Sequence, residues 1–505
     1  MEDENLFDRG RAEPLVSYFA IENLYGYRTL SLESPFAATV LIARNGSGKT
    51  TLLATLDAVL KGQFSRLSEL KFDRIICRLR DITKDLVITS EDIAQYNTVR
   101  TGTALEIEAR RLNTNPIDMI RYLEGFDQLS YDSSVELSTS LWRRHSFIPG
   151  KTQQDVERIR DLILDRTPNL KVVSKNIRQA LNGVEVVYLP TYRRLEVSLP
   201  AEEQQDRLGR PAKPFRANKT GLHSAEIRFG LGDIPERLGQ LNSTIMNDSN
   251  QGFRGISAKI IAALLDGSFD RMNIELGVEP TKQELSLFFS RLKEGGRRYN
   301  QFFDLSDTVD LEKLFSERSL SNESNKFLSF FLSQLNIVIS ATRETERLVQ
   351  TFVDRCNFYL SAQDDSVVVA SQPRLRKGAD DKELKLSRTD LSVSVWSKSV
   401  KVRIPLDSLS SGEKQMISLL GKLYLYPQDK LVLIDEPELS LSMDWQRKIL
   451  LDVIGAPLCK QMIAITHSPF VFENALDPFA RALSVKIDSS RLVEATSINE
   501  GSADD

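Results

Sequence analysis

Cysteine is scarce. Cys77, Cys356 and Cys459 are the only three in 505 residues, and they lie far apart. That excludes a disulfide framework and a cysteine-built zinc site, and it suits a reducing compartment, the cytoplasm. Histidine is equally rare, with His145, His223 and His467 alone, so no histidine-rich metal-ligand set is present. No run reaches the ~18 apolar residues of a membrane span. The opening Met1-Glu2-Asp3-Glu4-Asn5 is acidic and lacks the apolar core of a secretory signal. Sustained heptads are missing, which excludes long coiled-coil arms, and no internal repeat is visible. Neither sign of charge dominates. A net charge of −4 argues against coating nucleic acid through bulk charge and leaves only a local basic groove for that role. The expectation is a soluble cytoplasmic chain, with room for two to four domains at roughly 150 residues each.

What is present centres on Ala43-Arg44-Asn45-Gly46-Ser47-Gly48-Lys49-Thr50. The apolar run Thr39-Val40-Leu41-Ile42 precedes it, and the helical pattern Thr51-Leu52-Leu53-Ala54-Thr55-Leu56 follows. Strand, glycine-bearing loop, Lys-Thr and helix in that order form a phosphate cradle. Loop N–H groups and the helix N-terminus converge on phosphate. Lys49 is placed to reach the β- and γ-phosphates, and Thr50 to set its hydroxyl on Mg²⁺. The consensus opens with glycine where this chain has Ala43, so the turn must hold that residue at negative φ.

Elsewhere the pattern alternates between strands and helical blocks. Pro14 to Leu32 reads as two antiparallel strands joined around Asn23 and Gly26, with further strands at Phe72–Leu79 and Asp85–Ile88. Residues 90–182 turn largely helical, and the charges of Gln153–Ile163 read as a solvated helix face. A strand returns at Val184–Leu189 and ends in Pro190-Thr191-Tyr192-Arg193-Arg194, where the paired arginines read as plain solubility from composition and, from their place at a strand end, as a phosphate or partner contact to be tested. Leu199 to Ser224 is rich in Pro, Gly and basic residues and reads as a flexible linker. Ile234 to Asn357 is helical again, interrupted near Glu294-Gly295-Gly296-Arg297. Strands follow at Ser366–Ala370, Leu391–Trp396 and Val400–Ile404.

Two later stretches add to the cradle. Leu409-Ser410-Ser411-Gly412-Glu413-Lys414-Gln415 opens a helix, and its first turn is either a second anion site or an ordinary N-cap. Lys430-Leu431-Val432-Leu433-Ile434-Asp435-Glu436-Pro437-Glu438 is a buried parallel strand that delivers carboxylates at its C-terminal end, where open α/β sheets bind ligands. Asp435 suits Mg²⁺ and Glu436 suits an attacking water; two buried carboxylates without a cation would be expensive. Gln461 to Ser468 is another buried strand, and it ends at His467.

Together these stretches resemble the ABC-type ATPase heads of the chromosome-maintenance and OLD-like class. Walker A lies at Ala43–Thr50, the signature at Leu409–Glu413, Walker B at Leu431–Glu436 and the switch histidine at His467. Glu438 to Gln446 is similar to the D-loop and following helix. The signature departs from Leu-Ser-Gly-Gly-Gln at Ser411 and Glu413. The resemblance implies an α/β fold: a two-lobed P-loop ATPase head of mixed sheet and antiparallel strands, with large helical insertions. It divides the chain into an N-terminal lobe (1–95), a helical insertion (96–182), a returning strand (183–200), a basic linker (201–226), a second helical insertion (227–357) and a C-terminal lobe (358–505). It implies ATP and Mg²⁺ as ligands. Arg44, Asn45, Gly46, Ser47, Gly48, Lys49, Thr50 and Thr51 would bind nucleotide, with Thr50 and Asp435 on the metal. Glu436 would activate water and His467 would sense the γ-phosphate. Ser410, Ser411 and Gly412 of a second subunit would close the site in a head-to-tail homodimer or higher oligomer.

Little chain follows His467, and no Toprim acidic cluster or HNH pattern is present. The motifs are most similar to stand-alone anti-phage defence ATPases, the PtuA type of Septu and retron-linked systems, with the AriA type of PARIS a near alternative. That implies a separate nuclease partner, HNH before Toprim, and in a retron system a reverse transcriptase with its DNA and RNA. The alternative is a DNA-repair or chromosome-maintenance ATPase acting directly on nucleic acid. A transporter-energising head is a third reading, disfavoured by the helical insertions.

Overall fold

The computed structural model describes residues 2–99, 102–111, 163–190, 233–265, 278–298, 322–361, 382–398, 400–439 and 441–488, with short pieces at 115–117, 120, 124, 161 and 222. Arg193 and Arg194, most of Gln153–Ile163, nearly all of the basic linker, the strand expected at Ser366–Ala370, and His145 and His223 lie outside the described residues. The chain forms two units, Met1–Arg228 with Gln428–Asp505, and Phe229–Pro427.

In chain order the first part of unit one holds α1 (Glu2–Arg11), β1 (Val16–Leu24), β2 (Arg28–Glu33), β3 (Ala38–Ile42), α2 (Lys49–Leu60), β4 (Arg74–Leu79), β5 (Leu86–Thr89), α3 (Ser90–Asn97), α4 (Ala104–Arg111), α5 (Pro168–Leu181) and β6 (Glu185–Leu189). Unit two holds α6 (Asp233–Leu265), α7 (Lys282–Arg298), α8 (Asn322–Leu360), β7 (Lys382–Leu386), β8 (Val393–Ser397), β9 (Arg403–Ile404) and α9 (Ser411–Tyr424). Unit one then resumes with β10 (Lys430–Asp435), α10 (Met443–Gly455), β11 (Cys459–Thr466), β12 (Ala480–Ala482) and β13 (Ser484–Ile487).

Two five-stranded sheets build unit one, ordered β13-β2-β1-β4-β5 and β12-β3-β11-β10-β6. The first is antiparallel throughout. The second is parallel throughout, so its middle strands are covered on both faces and read as unbroken apolar runs. Every residue of β10 is buried. Helix α2 carries apolar residues all round, as a helix enclosed by core does. Leu52, Leu53, Leu56 and Val59 join one cluster with Phe19, Leu30, Leu41, Leu433 and Ile465.

A buried glutamine ties the first sheet to the second. Gln461 on β11 accepts from Leu15 N at 2.9 Å and Val16 N at 2.8 Å, and donates to Val16 O at 2.8 Å and Ser34 Oγ at 2.9 Å. It satisfies backbone groups that the β1–β4 ladder leaves at the start of β1.

Unit two adds an unexpected strand at Lys382–Leu386 and overturns two expectations. The break expected at Gly295-Gly296 does not occur, because α7 runs through it to Arg298. Each glycine costs about 1 kcal/mol against alanine. The stripe Leu285, Phe288, Phe289 and Leu292, packed with Ile256, Leu332 and Leu335, outweighs that cost. The strand expected over Val400–Ile404 shrinks to Arg403–Ile404. Lys401 sits at φ 54° in a turn closed by Ser397 N to Val402 O at 2.9 Å.

Candidate functional site

The loop after β3 turns on two glycines. Gly46 has φ 78° and Gly48 has φ 96°, the left-handed region that glycine enters without strain. A Cβ on Gly48 would also lie 2.7 Å from Leu30 Cδ1. Ala43, at the consensus glycine position, stays outside that region and donates its N–H to Thr466 O at 3.2 Å. Helix α2 begins at Lys49 with Gly48 as N-cap and no side-chain cap, so its first-turn N–H groups are left for an anion. Ser47 Oγ is a buried hydroxyl with no hydrogen-bond partner among the described residues. Arg44 and Asn45 lie exposed on the loop, and Thr51 is half-buried in the first turn of α2. Arg28, which stacks near Tyr25 and Tyr27, buttresses the loop by donating to Gly46 O at 3.3 Å.

The acidic strand β10 meets this loop across the central sheet. Thr50 Oγ1 donates to Asp435 Oδ2 at 2.6 Å although the two are 385 positions apart. Lys49 Nζ forms a buried ion pair with Glu436 Oε1 and also reaches Asn45 Oδ1 at 3.3 Å. Glu436 itself sits at φ 56°, an unfavourable conformation for a side-chain-bearing residue and a frequent mark of functional sites. Its N–H donates to Ile465 O at 2.9 Å. Burial alone would raise the Glu436 carboxyl, but the Lys49 hydrogen bond and its neighbouring charges carry it below the ordinary range.

His467 and Glu438 complete the cluster. His467 Nδ1 lies 2.5 Å from Glu436 Oε2 and 2.9 Å from Glu438 Oε1. Ligand atoms of these three residues fall within 4.8 Å of one another. Glu438 is 6% exposed, and burial pushes its carboxyl above the ordinary value. It accepts from Thr466 Oγ1 at 2.7 Å and from His467 N at 3.1 Å. In sequence Glu438 is marked only as a third acid two residues beyond Glu436, across Pro437. Beyond it, Gln446 of α10 donates to Glu438 O at 3.3 Å and Leu441 O at 3.0 Å, and accepts from Ser468 Oγ at 3.0 Å. Ser440 of the same turn lies outside the described residues.

The third stretch, Ser410-Ser411-Gly412, belongs to unit two. Ser410 is the N-cap of α9, and Glu413 completes a capping box with it: Glu413 N donates to Ser410 Oγ at 3.3 Å, and Ser410 N to Glu413 Oε2 at 2.7 Å. Lys382 Nζ from β7 bridges both Glu413 oxygens at 2.9 and 3.0 Å. The glutamate that breaks the usual signature therefore has a local function: it caps its own helix and anchors it to β7.

Residues 260–473 match a family model described as "AAA domain, putative AbiEii toxin, Type IV TA system". The matched span includes Ser410–Gly412, Asp435, Glu436 and His467, and it begins after the loop at 43–50. No curated protein matches the chain. Among solved structures it is similar to one described as "Crystal structure of the SmcHead bound to the C-winged helix domain of ScpA", with 10% identity, 95% of this chain and 99% of that chain covered, and a TM-score of 0.34. The fold is mixed α/β, with a parallel and an antiparallel five-stranded sheet in unit one and long helices in unit two.

Proposed function

We propose that the chain hydrolyses ATP and serves as the regulatory ATPase of an anti-phage defence complex, controlling a separate nuclease. The 2.6 Å contact of Thr50 Oγ1 with Asp435 Oδ2 carries the ATPase reading. A hydroxyl from a phosphate loop beside a carboxylate from a parallel strand is the donor pair that holds Mg²⁺ next to a nucleoside triphosphate. The uncapped helix end, the left-handed glycines and the buried Ser47 hydroxyl fit a phosphate chain. Mg²⁺ held by Thr50 and Asp435 would supply the positive charge that offsets the negative charge developing on the phosphates.

The chain's own groups divide the remaining work. Lys49 supplies the cation for the β- and γ-phosphates, and Arg44 to Thr51 supply backbone N–H groups and hydroxyls. Glu436 accepts a proton from the attacking water, the task for which a carboxylate at the end of a strand is held in place. His467 contacts the γ-phosphate. Ser410, Ser411 and Gly412 of a second copy close over the nucleotide, so binding assembles a head-to-tail dimer and hydrolysis releases it. The defence role rests on the resemblance of the short motifs and on a family description that names a toxin–antitoxin system. The expected partner is an HNH nuclease before a Toprim protein, with a retron reverse transcriptase a further candidate.

Mg²⁺-dependent ATPase activity is the test. Lys49→Ala should abolish nucleotide binding. Glu436→Gln should keep binding, lose about 100-fold or more in turnover, and accumulate a nucleotide-bound dimer on size-exclusion chromatography with light scattering. Unchanged turnover in Glu436→Gln would remove the assigned base. Ser410→Arg should fold and bind nucleotide yet fail to turn over; normal turnover there would remove the second-copy contribution. Phage challenge of cells carrying the chain and its neighbouring genes tests the defence role, which Lys49→Ala should eliminate. DNA binding by the isolated chain, with no effect on phage, would favour the repair reading.

A further inference from the structure

Glu438 follows the catalytic pair in sequence, yet its carboxylate reaches over to the end of β11. One oxygen takes the Thr466 hydroxyl at 2.7 Å, and the other takes both the His467 N–H at 3.1 Å and the His467 ring at 2.9 Å. Both oxygens are thereby fixed before any ligand arrives, and the residue is nearly inaccessible to water. Glu436 touches the same Nδ1 at 2.5 Å, but it also faces Lys49. A histidine anchored by Glu436 alone would be tied to the group that has to turn toward water. A second anchor removes that conflict.

We propose that Glu438 is the positioning residue of this site. It holds the Nδ1–H tautomer of His467 and the ring's orientation, so that Nε2 remains directed to the ligand while Glu436 is released for water. The arrangement parallels the general pattern in which a buried carboxylate fixes the tautomer of a working imidazole. It also extends outward, because Ser468, next to the histidine, is held by Gln446 at the start of α10, and Gln446 in turn donates to Glu438 O. A shift of that helix would therefore reach His467 through Glu438. The proposal rests on the ATPase reading for its consequence in turnover, but its structural content stands apart from it.

The experiment has two arms that separate these. The full chain, labelled with ¹⁵N-histidine, contains three rings, and His467→Gln identifies the one of interest. Without nucleotide and in a Glu436→Ala background, which removes the other carboxylate beside Nδ1, the His467 ring should carry its proton on Nδ1; adding Glu438→Ala should turn that signal into a tautomer mixture. Glu438→Gln, whose amide oxygen can take the place of Oε1 and accept from the His467 N–H and ring while its NH2 donates to Thr466 Oγ1, should restore the parental pattern. In the kinetic arm Glu438→Ala should lose about 10- to 100-fold in kcat, as supporting carboxylates typically do, with ATP affinity little changed, and Glu438→Gln should recover most of it. A His467 ring that keeps its Nδ1 proton when Glu438→Ala is added to Glu436→Ala overturns the proposal, whatever the turnover. So does a Glu438→Gln variant with the Glu438→Ala tautomer pattern. Should Glu438→Ala fail to fold, the glutamine variant and Thr466→Val decide: Thr466→Val leaves the ring contact in place and should keep the Nδ1 proton. If the parent itself does not hydrolyse ATP, the ATPase reading fails, while the tautomer result still decides this one.

Discussion

Replacing Gln461 with leucine would remove the clamp between the two sheets at almost no change in shape. Four hydrogen bonds of 2.8–2.9 Å disappear, but they do not count equally. Ser34 Oγ keeps Thr39 Oγ1 at 2.7 Å and Phe36 O at 3.1 Å, so its loss is small. Leu15 N and Val16 N lose the acceptor they share, at residues 3% and 0% exposed where water does not substitute. Val16 O loses a donor. At about 1–3 kcal/mol for each of these three buried groups left unsatisfied, and with roughly 1 kcal/mol returned by the apolar replacement, the net cost is about 2–8 kcal/mol. That is comparable to much of a domain's entire stability. Urea unfolding followed by tryptophan fluorescence should show a lowered midpoint at an unchanged slope. Gln461→Glu, which keeps the acceptor and loses the donor, should also destabilise through its buried charge. A Gln461→Leu variant within about 1 kcal/mol of the parent would refute the reasoning, since the two N–H groups would then have found other partners.

Three further outcomes are expected. Glu124 accepts from Ser65 N at 2.9 Å and from Tyr96 Oη at 2.9 Å, and burial raises its carboxyl to about 7. Its protonated form is therefore favoured by folding: the stabilisation is full below about pH 4.5 and is lost as pH rises through about 7, amounting to up to about 3 kcal/mol. Urea midpoints between pH 5 and 8 should show that slope in the parent and lose it in Glu124→Gln. Glu413→Ala removes the capping box and the Lys382 pair, and should cost about 1–2 kcal/mol in thermal or urea unfolding of the unit holding α9. Thr50→Val should leave Mg²⁺-free ATP binding near parental and weaken the stimulation by Mg²⁺, read by titration with and without chelator; an unchanged Mg²⁺ dependence would take Thr50 off the metal.

The sheets of unit one were legible because burial on both faces leaves a plain signature. Thr39–Ile42, Leu431–Ile434 and Met462–Ile465 are apolar without alternation, and that pattern belongs to parallel strands inside a layered fold. The loop and its lysine were legible because few other arrangements call for Gly46 and Gly48 beside Lys49 and Thr50. The clamp at Gln461 was not, since a glutamine in an apolar run gives no hint of which backbone groups it will meet 445 positions away. Glu438 was visible as an acid but not as a ligand of Thr466 and His467, because that depends on the register of β10 against β11. The glycine pair in α7 misled for a physical reason: local propensity favours a break, and the tertiary contacts of Phe288 and Phe289 override it. The turn at Lys401 and the left-handed Leu391 were hidden because neither residue type signals a positive φ.

The position of β3 has a consequence for biosynthesis. It lies between β12 and β11, so both neighbours of the first phosphate-loop strand, at Ala480–Ala482 and Cys459–Thr466, are synthesised long after it. At about 5–20 residues per second, the nascent chain waits roughly 20–90 s with that strand unpaired. During this interval an apolar ribbon with open backbone groups is available to chaperones or to misassociation. A transcript truncated before β11 would encode the complete glycine loop and still yield a polypeptide whose loop strand lacks both of its sheet neighbours.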